Sequence, residues 1–506
     1  MNAATHISAA GRPLQELLAG LVTVPAALRV TDVTLDSRAV RPGALFLACR
    51  GRSHHGLAFA AEALARGARA VLYEPPADSP GAIDALAARA FVAPVPELGA
   101  RAGQIADRFF GEPSRALTIA AVTGTNGKTT CAWLLAQAFE RCGRSAAYLG
   151  TLGYGRPGAL AEVEHTTADA VTVHRQLARV RELGARWVAM EVSSHALDQQ
   201  RIAGVRVHTA AFTNLTRDHL DYHGTMAAYG RAKRRLFELG TLVNRVINID
   251  DAFGAELAAR SDPGALIVTS RAAEPPVGSR WVRGAGLHAQ GIGLRIAVES
   301  SWGSGSLAVP LIGQFNADNA LTVLAVLLGA EVPFAEALAA LAQCRAAPGR
   351  MEAFGGDAGR PLAIVDYAHT PDALAKALEN ARCHCRGRLR VVFGCGGDRD
   401  SGKRPIMGRI AAEWADEIIL TDDNPRSEPP GRITEEILAG IPQGTARIEH
   451  DRARAIREAL ESSADGDVVL VAGKGHETYQ TYGAERRPFS DQAVVREALG
   501  LQAGRA

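Results

Sequence analysis

Short apolar runs that end in glycine or polar residues recur along this chain, most of them separated by stretches with helical spacing. Ala44–Ala48 and Ala70–Tyr73 are two such runs, with an alanine-rich helical stretch between them. Leu117–Val122 reads as a buried strand. It passes through a glycine-bearing turn into Thr129–Arg141, where Trp133, Leu134 and Ala138 share a helical face and Gly143 supplies a stop. Trp187–Val192 is the next buried run, after another helical segment. Strand, helix, strand in this order predicts a parallel sheet with crossover helices. Ala272–Ser306 is glycine-rich and alternating, which predicts hairpins, and Asn319–Gly329 predicts a buried helix. Leu362–Val365, Leu389–Phe393 and Val468–Val471 are strand-like. Open α/β sheets bind ligands at the carboxyl ends of their strands, which draws attention to Asp366, Gly394 and Gly473.

The turns at Gly111-Glu112-Pro113-Ser114 and Ala347-Pro348-Gly349-Arg350 divide the 506 residues into three blocks, 1–113, 114–346 and 347–506. A prior of about 150 residues per domain agrees. Acidic and basic residues nearly cancel, 54 against 56, so nothing asks for nucleic acid and small-molecule substrates are expected. Seven cysteines are sparse, and Cys383, Cys385 and Cys395 lack the second C-x-x-C pair of a zinc site. Reduced thiols are the expectation. Met1–Gly20 has no basic start with a long apolar run, and no uncharged apolar stretch is long enough to span a bilayer. A monomeric, cytoplasmic protein without membrane insertion is therefore expected.

The sharpest motif is Thr123-Gly124-Thr125-Asn126-Gly127-Lys128-Thr129-Thr130, between a strand run and an amphipathic helix. Its glycines let the backbone wrap a polyphosphate, and N–H groups at the helix start face the anion. Lys128 adds a point charge, and the Thr129 hydroxyl can bind Mg2+. Val122 stands where the general pattern has glycine. Glu191 ends a strand run, where a carboxylate is well placed for a metal. Asn214 to Gly224 gathers two histidines and two aspartates, a polar cluster that reads equally as a surface loop. Lys233 sits with Arg234 and Arg235 in a helical segment, Met226–Leu239, and by composition belongs to a solvated face.

The string T-G-T-N-G-K-T-T resembles the nucleotide loop of the Mur ligases and their folylpolyglutamate synthetase relatives, and E-V-S-S-H-A-L from Glu191 resembles a second Mur signature. The resemblance implies ATP and Mg2+ as cofactors, ATP held by Gly124 to Thr130 with Asn316 and His369 beside the nucleotide, and catalysis by Lys128, Glu191, His219 and Lys233. It implies metal ligation by Thr129, Glu191, His219 and Lys233, the last as a carbamate (N6-carboxylysine). Thr34 to Gly56 resembles the family's UDP-sugar domain, which the folate enzymes lack, and implies Leu35, Ser37, Arg52, Ser53 and His54 as UDP contacts. His165, Thr166, Thr167, Ser193, Gln199 and Arg201 match contacts to the muramoyl peptide, with His165 and Ala168 where many relatives carry Asn and Pro.

The string D-N-P-R, Asp423-Asn424-Pro425-Arg426, marks the diaminopimelate-adding members of the family; alone it is also an ordinary turn. Arg426 can fork onto the distal carboxylate of diaminopimelate and Glu477 can accept its ammonium, with Arg399, Asp423, Asn424, Pro425 and Gly473 around them. The expected fold is α/β with three domains. These are a smaller N-terminal α/β domain for UDP-sugar, a central P-loop ATPase-like domain with a parallel or mixed sheet, and a C-terminal Rossmann-like domain for the amino acid. Two other readings stay open: a ligase for lysine or another diamino acid, and a non-catalytic nucleotide-binding module.

Overall fold

A computed structural model describes residues 11–51, 54–76, 80–163, 165–290, 292–357 and 359–501. It is a mixed α/β protein that divides into two compact units. The first holds Met1–Ala132, Phe139–Ile247 and Asp251–Ile267; the second holds Trp133–Ala138, Asn248–Asp250 and Val268–Ala506.

The first unit opens with β1 (Asp32–Thr34), β2 (Ala44–Ala48), α1 (Ala60–Ala65), β3 (Ala70–Tyr73), β4 (Phe91–Pro94) and α2 (Leu98–Phe109). Its four strands pair in parallel in chain order. All of β2 is buried because alternate residues meet different cores. Leu45 and Leu47 pack with Leu98, Ala102 and Ile105 of α2, while Ala44, Phe46 and Ala48 pack with Ala60, Ala63 and Leu64 of α1. A strand covered on both faces reads as an unbroken apolar run.

The second group of elements comprises β5 (Thr118–Thr123), α3 (Lys128–Arg141), β6 (Ala146–Gly150), α4 (Ala170–Glu182), β7 (Trp187–Glu191), β8 (Thr209–Phe212), α5 (Met226–Arg234) and β9 (Asn244–Asn248), all in the first unit except Trp133–Ala138 and Asn248. The parallel order is β6-β7-β5-β8-β9. The chain leaves β5 first to one side and later to the other, so the strand order reverses there, where α/β sheets form their binding crevices. Val122 lies inside β5, so the glycine turn starts only after Thr123. One detail differs from the expected α3 face: Leu134 and Ala138 are buried, but Trp133 falls with Gln137 and Glu140 on the less buried stripe, because nearly every other position of this helix is covered. The N-terminal block joins the same unit through a shared core, in which Ala170, Val171 and Ala178 of α4 pack with Leu98, Ile105 and Phe109. Arg175 of α4 also donates to Asp32 Oδ1 and Val33 O, both at 2.9 Å.

In the second unit β10 (Arg280–Gln290), β11 (Gly293–Ser300) and β12 (Gly303–Val309) form the expected antiparallel hairpins. Helix α6 (Phe315–Gly329) starts four residues before the apolar run suggests. Its buried first-turn asparagines are satisfied internally: Asn319 Nδ2 donates to Asn316 Oδ1 at 2.8 Å, and Asn316 Nδ2 to Ile312 O at 2.7 Å.

The last block alternates β13 (Glu352–Gly355), β14 (Leu362–Asp366), α7 (Pro371–Cys383), β15 (Leu389–Phe393), α8 (Lys403–Trp414), β16 (Glu417–Leu420), β17 (Ala446–Ile448), α9 (Arg452–Glu461) and β18 (Val468–Ala472). It ends with the hairpin β19 (Tyr479–Tyr482) and β20 (Glu485–Pro488), then α10 (Asp491–Ala498). The sheet order is β13-β14-β18-β15-β16-β17, parallel except for β13. Behind it Arg452 and Asp491, both with fully buried side chains, pair at 2.7 Å, and Arg452 Nη2 also donates to Ala472 O at 2.9 Å. Among the described residues no helix is long and apolar enough to cross a membrane.

Removing one member of a fully buried ion pair strands the other charge, at a cost of about 3–5 kcal/mol. Arg452→Met is therefore expected to lower the urea midpoint sharply, while Arg452→Met with Asp491→Leu regains most of the loss. A single variant as stable as the parent would show that the pair holds nothing together.

Candidate active site

The loop from Thr123 to Thr130 leaves the buried end of β5 and is clamped by the segment after β8. Thr125 N donates to Asn214 O at 2.8 Å, Asn126 N to Asn214 Oδ1 at 3.0 Å, and Thr213 Oγ1 to Asn126 O at 2.6 Å. A Cβ on Gly124 would collide with Thr213 Oγ1, and Gly127 has φ 85°, so both glycines are required by geometry. Amides in the first turn of such a helix are able to cradle an anion. Lys128 Nζ lies over the loop, donating to Gly124 O at 3.0 Å and Thr125 O at 2.9 Å. Thr129 and Thr130 are buried in the first turn.

Glu191, at the end of β7, is fully buried. Thr129 Oγ1 donates to its Oε2 at 2.9 Å, Thr151 N to Oε1 at 2.9 Å and Thr151 Oγ1 to Oε2 at 3.3 Å. The Tyr148 hydroxyl makes a short bond to Oε1. Tyr148 and Thr151 have no motif; Tyr148 lies in an apolar strand and reads as core. All these donors are neutral, hydroxyls and one backbone amide.

Lys233 is not on a solvated face. Its side chain is 1% exposed, with Nζ donating to Gly124 O at 2.7 Å. Among the described residues no carboxylate is within ion-pair distance of that nitrogen. Burial, then the Lys128 charge, push its pKa well below 10.5. An uncharged, buried amine is the form that combines with carbon dioxide.

His219 adopts a left-handed conformation, φ 52°, and its ring stands 4.8 Å from that of His195 and 6.0 Å from Tyr229. Burial lowers the pKa of His219. Burial, then the neighbouring His219, lowers that of His195 to about 4. Both rings are therefore neutral near pH 7, with a lone pair available to a metal. Among the described residues, however, no group of three or more His, Cys, Asp or Glu side chains is arranged to hold a metal ion. The expected ligand set combines only one carboxylate and one imidazole with a hydroxyl and a modified lysine.

The residues expected to contact the peptide gather at the same strand end. Thr166 Oγ1 lies 3.0 Å from Thr151 Oγ1, and Thr167 Oγ1 donates to Glu191 O at 3.0 Å and accepts from Ser193 N at 3.2 Å. Arg201 donates to Thr167 O at 2.8 Å and to Gln199 Oε1 at 2.7 Å, which holds its guanidinium beside them. Ser193 Oγ caps the helix that follows, accepting from Ala196 N at 3.2 Å. His165 is exposed.

Leu35 and Ser37 line a cavity of about 900 Å³ that also reaches Asp169, Thr172 and Arg175. Ser37 Oγ donates to Glu62 Oε2 at 2.9 Å. His54 stands edge-on to Phe59, a further lining residue, at 6.3 Å. Arg52 and Ser53 lie outside the described residues.

In the second unit the loops after β16 and β18 meet. Asn424 Nδ2 donates to Glu477 Oε2 at 2.9 Å, and Lys474 Nζ donates to Asn424 Oδ1 at 3.1 Å and Glu477 Oε2 at 3.0 Å. Glu477 Oε2 thus accepts two bonds. Lys474 is fully buried, and its only signal in the sequence is its place within the string Gly473 to Glu477. Arg426 Nη1 donates to Gly397 O at 2.6 Å, and a Cβ on Gly473 would meet Asp423 Oδ2 at 2.6 Å. Pro425 is buried in the same turn, while Arg399 is exposed and donates to Asp398 O at 3.4 Å. Also in this unit, His369 Nδ1 lies 2.8 Å from Tyr367 O, and burial lowers its pKa. Asn316 spends its amide on the start of α6.

Three family models match consecutive parts of the chain: Mur ligase family, catalytic domain, over 29–110; Mur ligase middle domain over 122–327; and Mur ligase, glutamate ligase domain, over 349–475. The UDP-N-acetylmuramoyl-L-alanyl-D-glutamate–2,6-diaminopimelate ligase of Alkalilimnicola ehrlichii is 49% identical over 480 residues, 94% of this chain and 96% of that protein. A solved structure of a UDP-N-acetylmuramoyl-L-alanyl-D-glutamate–2,6-diaminopimelate ligase is 35% identical with a TM-score of 0.71, over 97% of this chain and 99% of that one. The MurF ligase of Thermotoga maritima in complex with ADP shares the fold, with 16% identity and a TM-score of 0.56 over 88% of this chain and 94% of that one.

The burial of Lys233 has a pH signature. Its folded pKa lies below the 10.5 expected when unfolded, so between the two the unfolded chain binds more protons and stability rises with pH. In buffer free of carbon dioxide, the stability gained by Lys233→Met is expected to be large at neutral pH and to shrink as pH approaches 10.5. A gain that does not change with pH would place the amine in water.

Proposed function

The chain belongs to the Mur ligase family, and we propose that it joins meso-diaminopimelate to UDP-N-acetylmuramoyl-L-alanyl-D-glutamate. It is an ATP-dependent, amide-bond-forming ligase of peptidoglycan precursor synthesis. The observation that supports the choice of amino acid is the D-N-P-R turn, where Asn424 Nδ2 donates to Glu477 Oε2 at 2.9 Å and Arg426 Nη1 to Gly397 O at 2.6 Å. Arg426 suits the distal carboxylate that distinguishes diaminopimelate from lysine, and the oxygens of Glu477 suit its ammonium.

The D-glutamyl side-chain carboxylate is a poor electrophile. Taking the γ-phosphoryl group of ATP converts it to an acyl phosphate and releases ADP. The amine of diaminopimelate then attacks the acyl carbon, inorganic phosphate leaves, and the nitrogen loses a proton as the amide forms. The amides of Gly124 to Thr130 and the Lys128 ammonium hold the phosphates and balance their charge. Thr166, Thr167 and Arg201 position the peptide at the end of β7, where Glu191 lies.

Mg2+ fits this donor set: Thr129 Oγ1 and Glu191 Oε2 are hard oxygen donors 2.9 Å apart. His219 and Lys233, as a carbamate, would supply ligands for a second ion. When bound, the metal neutralises charge between the phosphoryl group and the acceptor carboxylate. The carbamate forms when the Lys233 amine bonds to the carbon of carbon dioxide and gives up a proton, replacing a buried amine by an anionic oxygen donor. Residues 1–113 serve the UDP-sugar, 114–346 the nucleotide and 347–506 the amino acid.

The deciding experiment incubates the protein with ATP, the UDP-muramoyl dipeptide and each candidate amino acid, and reads products by mass spectrometry. Amide product with diaminopimelate, and transfer of labelled oxygen from the acceptor acid to phosphate, are expected. ATP binding with no phosphate release under any condition would make this a binding module. Arg426→Ala should raise the KM for diaminopimelate by about tenfold or more, the worth of a charge-assisted bond, with the KM for ATP unchanged. Unaltered amino-acid kinetics would remove Arg426 from its role. Lys233→Ala should abolish turnover even with added bicarbonate, and an active variant would refute the carbamate.

A further inference from the structure

The hairpin β19–β20 carries none of the strings that mark the site, yet β19 is bonded along its length to the turn that does. Gln480, 8% exposed, donates Nε2 to Asp422 O at 3.1 Å and Asp423 O at 3.2 Å. Thr481 N donates to Asn424 Oδ1 at 3.0 Å, and Tyr482 Oη to Asp422 Oδ2 at 3.0 Å. Arg426 is gripped at both backbone groups: its N–H donates to Thr481 O at 2.9 Å, and its carbonyl accepts from Gly483 N at 2.6 Å.

That grip has a purpose in the backbone. Arg426 sits at φ 53°, a left-handed conformation that a side chain with a Cβ adopts only where its surroundings over-determine it. Without the hairpin the turn would relax and re-aim both Arg426 and Asn424. Gln480 supplies what the turn needs, since a primary amide has two N–H donors and two adjacent buried carbonyls must be satisfied. Leucine would fill the same volume and leave those carbonyls unpaired.

We propose that the hairpin is the template for amino-acid recognition and that Gln480 is its positioning residue, acting through the D-N-P-R turn without touching substrate. The inference rests on the diaminopimelate reading. Gln480→Leu in the full-length protein is expected to raise the KM for diaminopimelate about tenfold and to narrow its preference over L-lysine. The KM values for ATP and the UDP-muramoyl dipeptide should stay within about twofold. Unchanged amino-acid KM and preference, with only the melting temperature lowered, would overturn the proposal, because that is what a merely structural glutamine would do. If Gln480→Leu does not fold, Tyr482→Phe removes a single bond to the same turn. It should raise the same KM by a smaller factor, and no rise would be equally fatal. Should the parent enzyme use L-lysine instead, the diaminopimelate reading falls, and the same shift is then sought in the KM for L-lysine.

Discussion

A carboxylate buried at the end of a parallel strand is the constraint around which the first unit is organised. Glu191 has no exposure to water, and an isolated charge in that position would be very unfavourable. Four neutral donors from Thr129, Tyr148 and Thr151 take up its lone pairs. The requirement spreads outward. Gly150 has no room for a Cβ, which would collide with Glu191 Oε1, and Thr167 bridges the Glu191 carbonyl to the Ser193 amide. The glycine loop, Thr167 and the acid are thereby one assembly.

Two buried cations show how differently burial can be used. Arg452 is matched by Asp491 with two bonds and caps Ala472 O, so its charge is neutralised in place. Lys233 has a carbonyl of the phosphate loop, Gly124 O, and no carboxylate beside it among the described residues. A cationic lysine there is under-compensated, which favours the neutral amine. The first arrangement holds its charge in an ion pair; the second leaves a buried amine on a carbonyl.

The second unit repeats the logic of strand ends with a different lock. Loops after β16 and β18 are joined through Asn424, Lys474 and Glu477, and the β19 edge holds the turn from the other side. Recognition of a ligand with two charged ends needs fixed donors and acceptors. Here bonds among Asn424, Lys474 and Glu477, and one from β19, fix the turn.

The chain's linear order determined the strands, the glycine loop and the family strings, because each is a contiguous pattern with a local physical cause. Buried strands read as apolar runs, the anion cradle as glycines before a helix, and the D-N-P-R turn as four adjacent residues. Tertiary structure alone decided that Lys233 is buried rather than solvated, and that the core around α4 gathers the N-terminal sheet into the first unit. It also decided that Tyr148 bonds to Glu191 and that Gln480 bonds to the carbonyls of Asp422 and Asp423. Those outcomes depend on which surfaces meet across tens or hundreds of residues. Periodicity shows that a side chain is covered, but not which partner covers it.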